Sequence, residues 1–417
     1  MTAADSARLA LAIAERLLDA NAVAAALSEQ ARGTMSGLAG TALLHARLSA
    51  VDDRFATAAI EHWNRAAAHT RHNSCTAGGT FAGPGAVAAS LILGSAYLPD
   101  PHQRHDQCAA AARWLAARAL AIADQTREHR RSGAPPASWA VYDAIGGLAG
   151  IGRILMVAVD QGHRHAGAGV DAALRTLSAM INTRFGSRPG WWLPAEAHPA
   201  TTAVHPSGAA ATGIAHGIAG PLALLSTAHA ARYRVPGQGQ AIRTAADWLL
   251  RWREPATDTW PPHITGHELD HDTAVPAPGR RDAWCYGAAG ISSALRQAAR
   301  ALADDRYRAI ADHAMRTLTA REPRSWDVEG PILCHGYAGI LQASHDHPDL
   351  AEHAATRIIA DSDPRHRYII QHSEHGTTHD YPGLLTGATG AALALADHAK
   401  LPTIAPTLRW DYILLLS

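Results

Sequence analysis

The stretch WCYGAAG, residues 284–290, returns in altered form as LCHGYAG at residues 333–339. Both copies hold one frame: a cysteine, one intervening residue, a glycine, two residues and a second glycine. The chain has only four cysteines in 417 residues, Cys75, Cys108, Cys285 and Cys334. Two of the four at the same place in a frame call for a reason. Without the cysteine, the frame recurs ahead of apolar, alanine-rich runs: MSGLAGTAL at 35–43, IGGLAGIGR at 145–153, AHGIAGPLA at 215–223 and LTGATGAAL at 385–393. FAGPGAVAA at 81–89 is a degenerate copy, with Ala86 where the second glycine belongs.

The seven lead glycines, Gly37, Gly83, Gly147, Gly217, Gly287, Gly336 and Gly387, lie 46, 64, 70, 70, 49 and 51 residues apart. Each interval holds two helices and their loops. GQAIRTAADWLLRW, residues 239–252, places Ile242, Ala245, Ala246 and Leu249 on one helical face. Strand signals are scarce, with three Phe and nine Tyr. The pattern predicts an all-α chain of seven helical hairpins, an α/α toroid with inner and outer helices; an open solenoid or an unrelated helical bundle are the alternatives. A solenoid keeps a tighter period than this. The glycines are expected to serve close packing or positive φ where loops crowd an axis. One domain is expected over 1–417, with a loop or small insertion near 187–212.

Composition excludes several classes. With 37 basic and 37 acidic residues and zero formal net charge, nothing points to nucleic acid. Four cysteines in so long a chain are no disulfide framework. The N-terminus, MTAADSARLALAIAERLLDA, reads as an amphipathic helix and not as a signal peptide. No run of apolar residues is long enough to span a membrane. These features predict a cytoplasmic protein with reduced thiols.

The residues before the lead glycine distinguish the repeats. In chain order they are Ser36, Ala82, Gly146, His216, Tyr286, His335 and Thr386; one place further back stand Met35, Phe81, Ile145, Ala215, Cys285, Cys334 and Leu385. In a ring of hairpins, loops four to six are neighbours, and the frame puts Cys285 and Cys334 at equivalent points of adjacent loops. Cys285, Cys334 and His335 are the S, S and N donors of a tetrahedral zinc ion with its fourth position open, the pattern of catalytic sites. The alternative is two buried cysteines packing as small hydrophobes. Cys75 and Cys108 stand outside the frame and read as packing residues.

Together RDAWCYGAAG, LCHGYAG, GIAHGIAG, YDAIGGLAG, PGWWLPAE (189–197) and the terminal WDYILLL resemble the lanthionine synthetase C-like (LanC-like) family over essentially the whole chain. The degenerate second repeat departs from the family's pattern, far from the reactive loops. The resemblance implies an α/α toroid with one central Zn²⁺. It implies a free-standing lanthipeptide cyclase, adding peptide cysteine thiols to dehydroalanine or dehydrobutyrine to form thioether rings. The partners implied are a dehydrated precursor peptide, a separate dehydratase and an exporter. Such a complex would bring a cytoplasmic enzyme to the membrane surface.

The residues suit that chemistry. A free thiol of pKa about 8.5 is only about 3% thiolate at pH 7, and zinc deprotonates it outright. Attack on the alkene leaves an enolate that needs stabilisation and a proton. By position in the resemblance, His216 handles the proton, Asp143 orients His216 and Arg281 faces the enolate, with Arg280 as its rival. Tyr286 and Trp284 shape the site or pack. The histidine-rich HITGHELDHD, residues 263–272, is a weak metal candidate. Two rival functions remain at this stage: a LanC-like enzyme adding glutathione or another small thiol to dehydroamino acids, and a non-catalytic zinc scaffold.

Overall fold

The computed structural model describes residues 3–72, 78–199, 204–275, 281–374 and 377–417; Cys75 and Arg280 lie outside the described residues. These contain seventeen α-helices and three two-stranded antiparallel ladders. The chain divides into two compact units, Met1–Trp114 with Arg321–Asp411, and Leu115–Ala320 with Tyr412–Ser417.

All seven glycine frames start helices. In the first unit these are Leu38–Leu48, Gly83–Ser95, Tyr337–Ala343 and Ala388–His398. Leu38–Leu48 packs on Asp53–His72 and Tyr337–Ala343 on Pro348–Ala360. Ala388–His398 packs on the first helix of the chain, Ala3–Arg16. The helix of the seventh frame thus takes its partner from the start of the chain, and Gly83–Ser95 packs on Leu38–Leu48 and Asp53–His72. In the second unit Leu148–Asp160 pairs with Gly167–Ile181, Ala219–Ala230 with Gln238–Arg251, and Ala288–Leu302 with Asp305–Ala320.

Composition explains which member of each pair is inside. Every residue of Leu38–Leu48 is buried, and its few polar side chains have partners, Thr41 on His62, His45 on the Leu17 carbonyl and Arg47 on Asp397. Gln238–Arg251 buries Ala241, Ile242, Ala245, Ala246 and Leu249 and leaves its polar face outward. Small residues let the inner helices approach their own loops. A Cβ on Gly290 would overlap the carbonyl oxygen of Trp284, and one on Gly390 that of Leu384. In the degenerate repeat Gly85 takes this place, one residue early, against the carbonyl of Gly79. The lead glycine of the Cys285 frame, Gly287, has φ 142°, which an L side chain rarely adopts.

The loops ahead of these helices are stitched to one another by backbone hydrogen bonds. In the second unit Ala144 N–H donates to Ala215 O (3.0 Å), and Ala215 N–H to Cys285 O (3.3 Å). In the first, Cys334 N–H donates to Leu385 O (2.8 Å), Leu384 N–H to Met35 O (2.8 Å) and Met35 N–H to Phe81 O (3.1 Å). Equivalent frame positions therefore lie side by side within each unit. The stretch near 187–212 is no loose loop where it is described. Leu193 bridges Ala209, and Ala209–Ala211 pairs with His263–Thr265 in the register Ala211↔His263.

Candidate active site

In the second unit, the loop before Leu148–Asp160 carries Asp143, buried at 1% exposure. Its Oδ1 accepts the N–H groups of Gly146 and Gly147, both at 2.7 Å. Its Oδ2 lies 2.6 Å from Nδ1 of His216. A carboxylate held by two backbone donors is oriented before it meets the imidazole. With Nδ1 turned to Asp143, Nε2 is the ring nitrogen left for another partner. The His216 side chain is 30% exposed, so that nitrogen is reachable.

Four aromatic rings complete a circuit with His216. Trp139 stacks on it with centroids 4.5 Å apart, and His198 meets Trp139 edge-on at 5.6 Å. His263 follows at 5.9 Å from His198, and Tyr286 at 5.7 Å from His263 and 6.5 Å from His216. Burial pushes His263 down to about 4, helped by the neighbouring His198 and His216. Burial lowers His198 too. Burial disfavours the charged form of both rings. Trp139 and His198 were not legible as site residues in the sequence, since neither sits in a glycine frame. His263 was read only as part of the weak histidine-rich metal candidate. His267 and His271 of that stretch instead lie against each other, ring centroids 4.2 Å apart, at the start and end of the helical turn that follows.

Arg281 is not a solvated loop arginine. Its guanidinium is 15% exposed and pairs with Glu254, with Thr259 Oγ1 at 3.5 Å. Trp284 is fully buried, and its Nε1–H donates to Leu414 O at 3.0 Å. It packs, the second of the two roles its sequence position allowed. Cys285 beside it is 5% exposed.

In the first unit, Cys334 and His335 precede the helix Tyr337–Ala343. His335 is 9% exposed, and its buried Nε2 makes no hydrogen bond among the described residues, with Glu329 Oε2 3.5 Å away. The His372 ring lies 5.2 Å from it, and Glu329, His335 and His372 are a group able to hold a metal ion. Cys108, in the same unit, is buried with its Sγ 3.2 Å from Ser95 Oγ, and burial pushes its thiol pKa up, as expected of a packing residue.

Glycine-framed helices whose leading loops carry an oriented Asp–His pair in one unit, and a cysteine and a histidine at the equivalent frame positions in the other, define a helical repeat protein with chemistry-bearing side chains on its loops. Residues 31–412 match the family described as Lanthionine synthetase C-like protein, and the chain belongs to that family. Over 142 residues it is 28% identical to Nisin biosynthesis protein NisC of Lactococcus lactis subsp. lactis; the alignment covers 33% of this chain and 33% of that protein, about a third of the relative's length. The solved structure of nisin cyclase matches with a TM-score of 0.74 over 93% of each chain at 20% identity. The fold is therefore the α/α toroid. No described helix is long and apolar enough to cross a membrane.

Proposed function

We propose that this protein is a zinc-dependent lanthipeptide cyclase acting across the whole chain as one domain. Its substrate is a dehydrated precursor peptide, in which it joins cysteine thiols to dehydroalanine or dehydrobutyrine. The observation that carries this reading is the Asp143–His216 pair, 2.6 Å apart, on a loop hydrogen-bonded to the backbone of Cys285.

The donors suit zinc. In this reading Cys285, Cys334 and His335, two thiols and an imidazole, would hold the ion, one donor short of a closed structural site. The orphaned Nε2 of His335 is a buried polar atom that a metal would satisfy. Zinc held there would supply Lewis acidity, lowering the pKa of an incoming thiol so that it reacts as thiolate.

The residues of the chain do the rest. Sulfur bonds to the β-carbon, the alkene pair moves toward the α-carbon and carbonyl oxygen, and one proton must reach the α-carbon. The thiol's proton leaves as that one arrives, so the addition is neutral overall. His216 Nε2 accepts and returns a proton, while Asp143 holds the ring and stabilises the imidazolium. Arg281, kept in place by Glu254, offers positive charge to the developing enolate oxygen. Tyr286 borders the His216 ring and shapes the space in which the flat dehydro residue lies.

The test compares wild type, Cys334→Ala and no protein on a dehydrated, cysteine-containing peptide. Free thiols are counted over time by alkylation and mass spectrometry, and the α-carbon configuration is read after hydrolysis. Wild type should speed thiol loss and give one configuration, with about one zinc per chain that Cys334→Ala loses. Wild type matching the no-protein control in both rate and configuration overturns the reading. Consumption of added glutathione in place of the peptide thiol would favour the small-thiol function.

A further inference from the structure

A cavity of about 310 Å³ opens in the second unit, apart from the residues assigned above. Its apolar walls come from Ile122, Val141, Met180 and Phe185. Two guanidinium groups, Arg118 and Arg130, border it beside uncharged polar groups such as Gln125 and Thr126, and no Asp or Glu does. Two acids of the helix His105–Arg131 that carries both arginines pair elsewhere, Asp124 with Arg127 at 2.8 Å and Glu128 with Arg131 at 3.0 Å. Neither Arg118 nor Arg130 has an ion pair among the described residues. Arg118 Nε is buried without a hydrogen-bond partner, and Arg130 reaches only Thr183 Oγ1 at 3.4 Å. A half-buried guanidinium left without an acceptor suits an anionic ligand.

The cavity also touches the machinery of the site. Ser138, Ala140 and Val141 form one wall. The same short segment carries Trp139, stacked on His216, and leads two residues later to Asp143. A chain seated in the cavity lies against the segment that supports His216.

We propose that this cavity binds a segment of the peptide substrate in which a carboxylate stands beside an aliphatic or aromatic side chain. The apolar walls take the side chain, and Arg118 and Arg130 take the carboxylate. This rests on the reading that the substrate is a peptide. The carboxylate comes from an Asp or Glu side chain within the peptide or from the peptide's C-terminus.

Binding is measured without turnover, by fluorescence anisotropy on the full-length, zinc-loaded protein. The probe is a labelled hexapeptide of Gly and Ser carrying one Leu–Asp pair and a C-terminal amide. Three further peptides replace Asp by Asn, replace Leu by Ser, or replace Asp by Asn and end in Leu with a free carboxylate. The Leu–Asp or the free-carboxylate peptide should bind at least about tenfold more tightly than the Asn amide, and whichever binds identifies the carboxylate source. Leu→Ser should weaken it, and raised salt should weaken it further. Arg118→Gln and Arg130→Gln should each cost roughly fivefold or more. Arg130 is exposed, so its variant tests the site even if Arg118→Gln folds poorly. Equal affinity for the Asp, Asn and free-carboxylate peptides, or wild-type affinity in Arg130→Gln, overturns the proposal. In ring closure, appending the bound segment to a dehydrated peptide should lower KM in wild type but not in Arg130→Gln. Failure of closure with binding intact would count against the cyclase reading alone.

Discussion

Asp143 accepts three hydrogen-bond donors, two from the backbone and one from His216, and no other residue of its loop could do this. Glutamate would carry its carboxylate a methylene further from Gly146 and Gly147, whose N–H groups lie at 2.7 Å. His216 is placed by Asp143 on one edge and by the face of Trp139 on the other. In the proposed reaction this imidazole carries the proton and is not one of the metal donors. His216→Ala should therefore keep its zinc while ring closure slows by about 10²–10⁴-fold, the usual worth of a positioned acid–base group. Elemental analysis and single-turnover closure check the two halves separately, and zinc loss in this variant would make His216 a ligand. The residue before each lead glycine was readable as a chemical position because the repeats supply their own internal control. Trp139, His198 and His263 were not assigned to the site, because they reach it from segments that share no frame with it.

An inner helix starts where its first turn can lie on the loop preceding it, and the second glycine of the frame makes that approach possible. In an ordinary exposed helix, Gly→Ala stabilises by roughly 0.5–1 kcal/mol. At Gly390 the added methyl would overlap the Leu384 carbonyl and stand 2.7 Å from Leu333 Cβ. Overpacking of this kind costs about 1–3 kcal/mol, so the steric term wins. Gly390→Ala should lower the denaturation midpoint, measured by the helical circular dichroism signal. The degenerate repeat follows the same rule, with Gly85 in the packing role one residue early. The sequence frame showed which glycines repeat, but only backbone distances show that a misaligned one does the same work.

Over the whole chain, the metal is expected to serve chemistry and not folding. The buried core is large, with all seven inner helices packed on their partners or neighbours, and a chain of this size needs no metal to be stable. Removing zinc with a chelator should leave the helical signal at 25 °C unchanged and lower the thermal midpoint only by the linked binding energy, while closure stops. Collapse of the helical signal on chelation would show the ion to be structural.

Residue identity alone determined the all-α class, the seven frames, the assignment of inner and outer faces, and the candidate residues at frame positions, because helical period and repeat register are local properties. Tertiary structure decided what depends on segments distant in sequence. It paired Ala3–Arg16 with Ala388–His398, nearly the whole sequence apart. It turned Arg281 from solvent to Glu254 and sank Trp284 onto the Leu414 carbonyl. It also tied Ala209–Ala211 to His263–Thr265, with His263 set against Tyr286, and brought His198 edge-on to Trp139. None of these contacts leaves a mark in the local pattern, because each is selected by the packing of surfaces that the chain brings together only when folded.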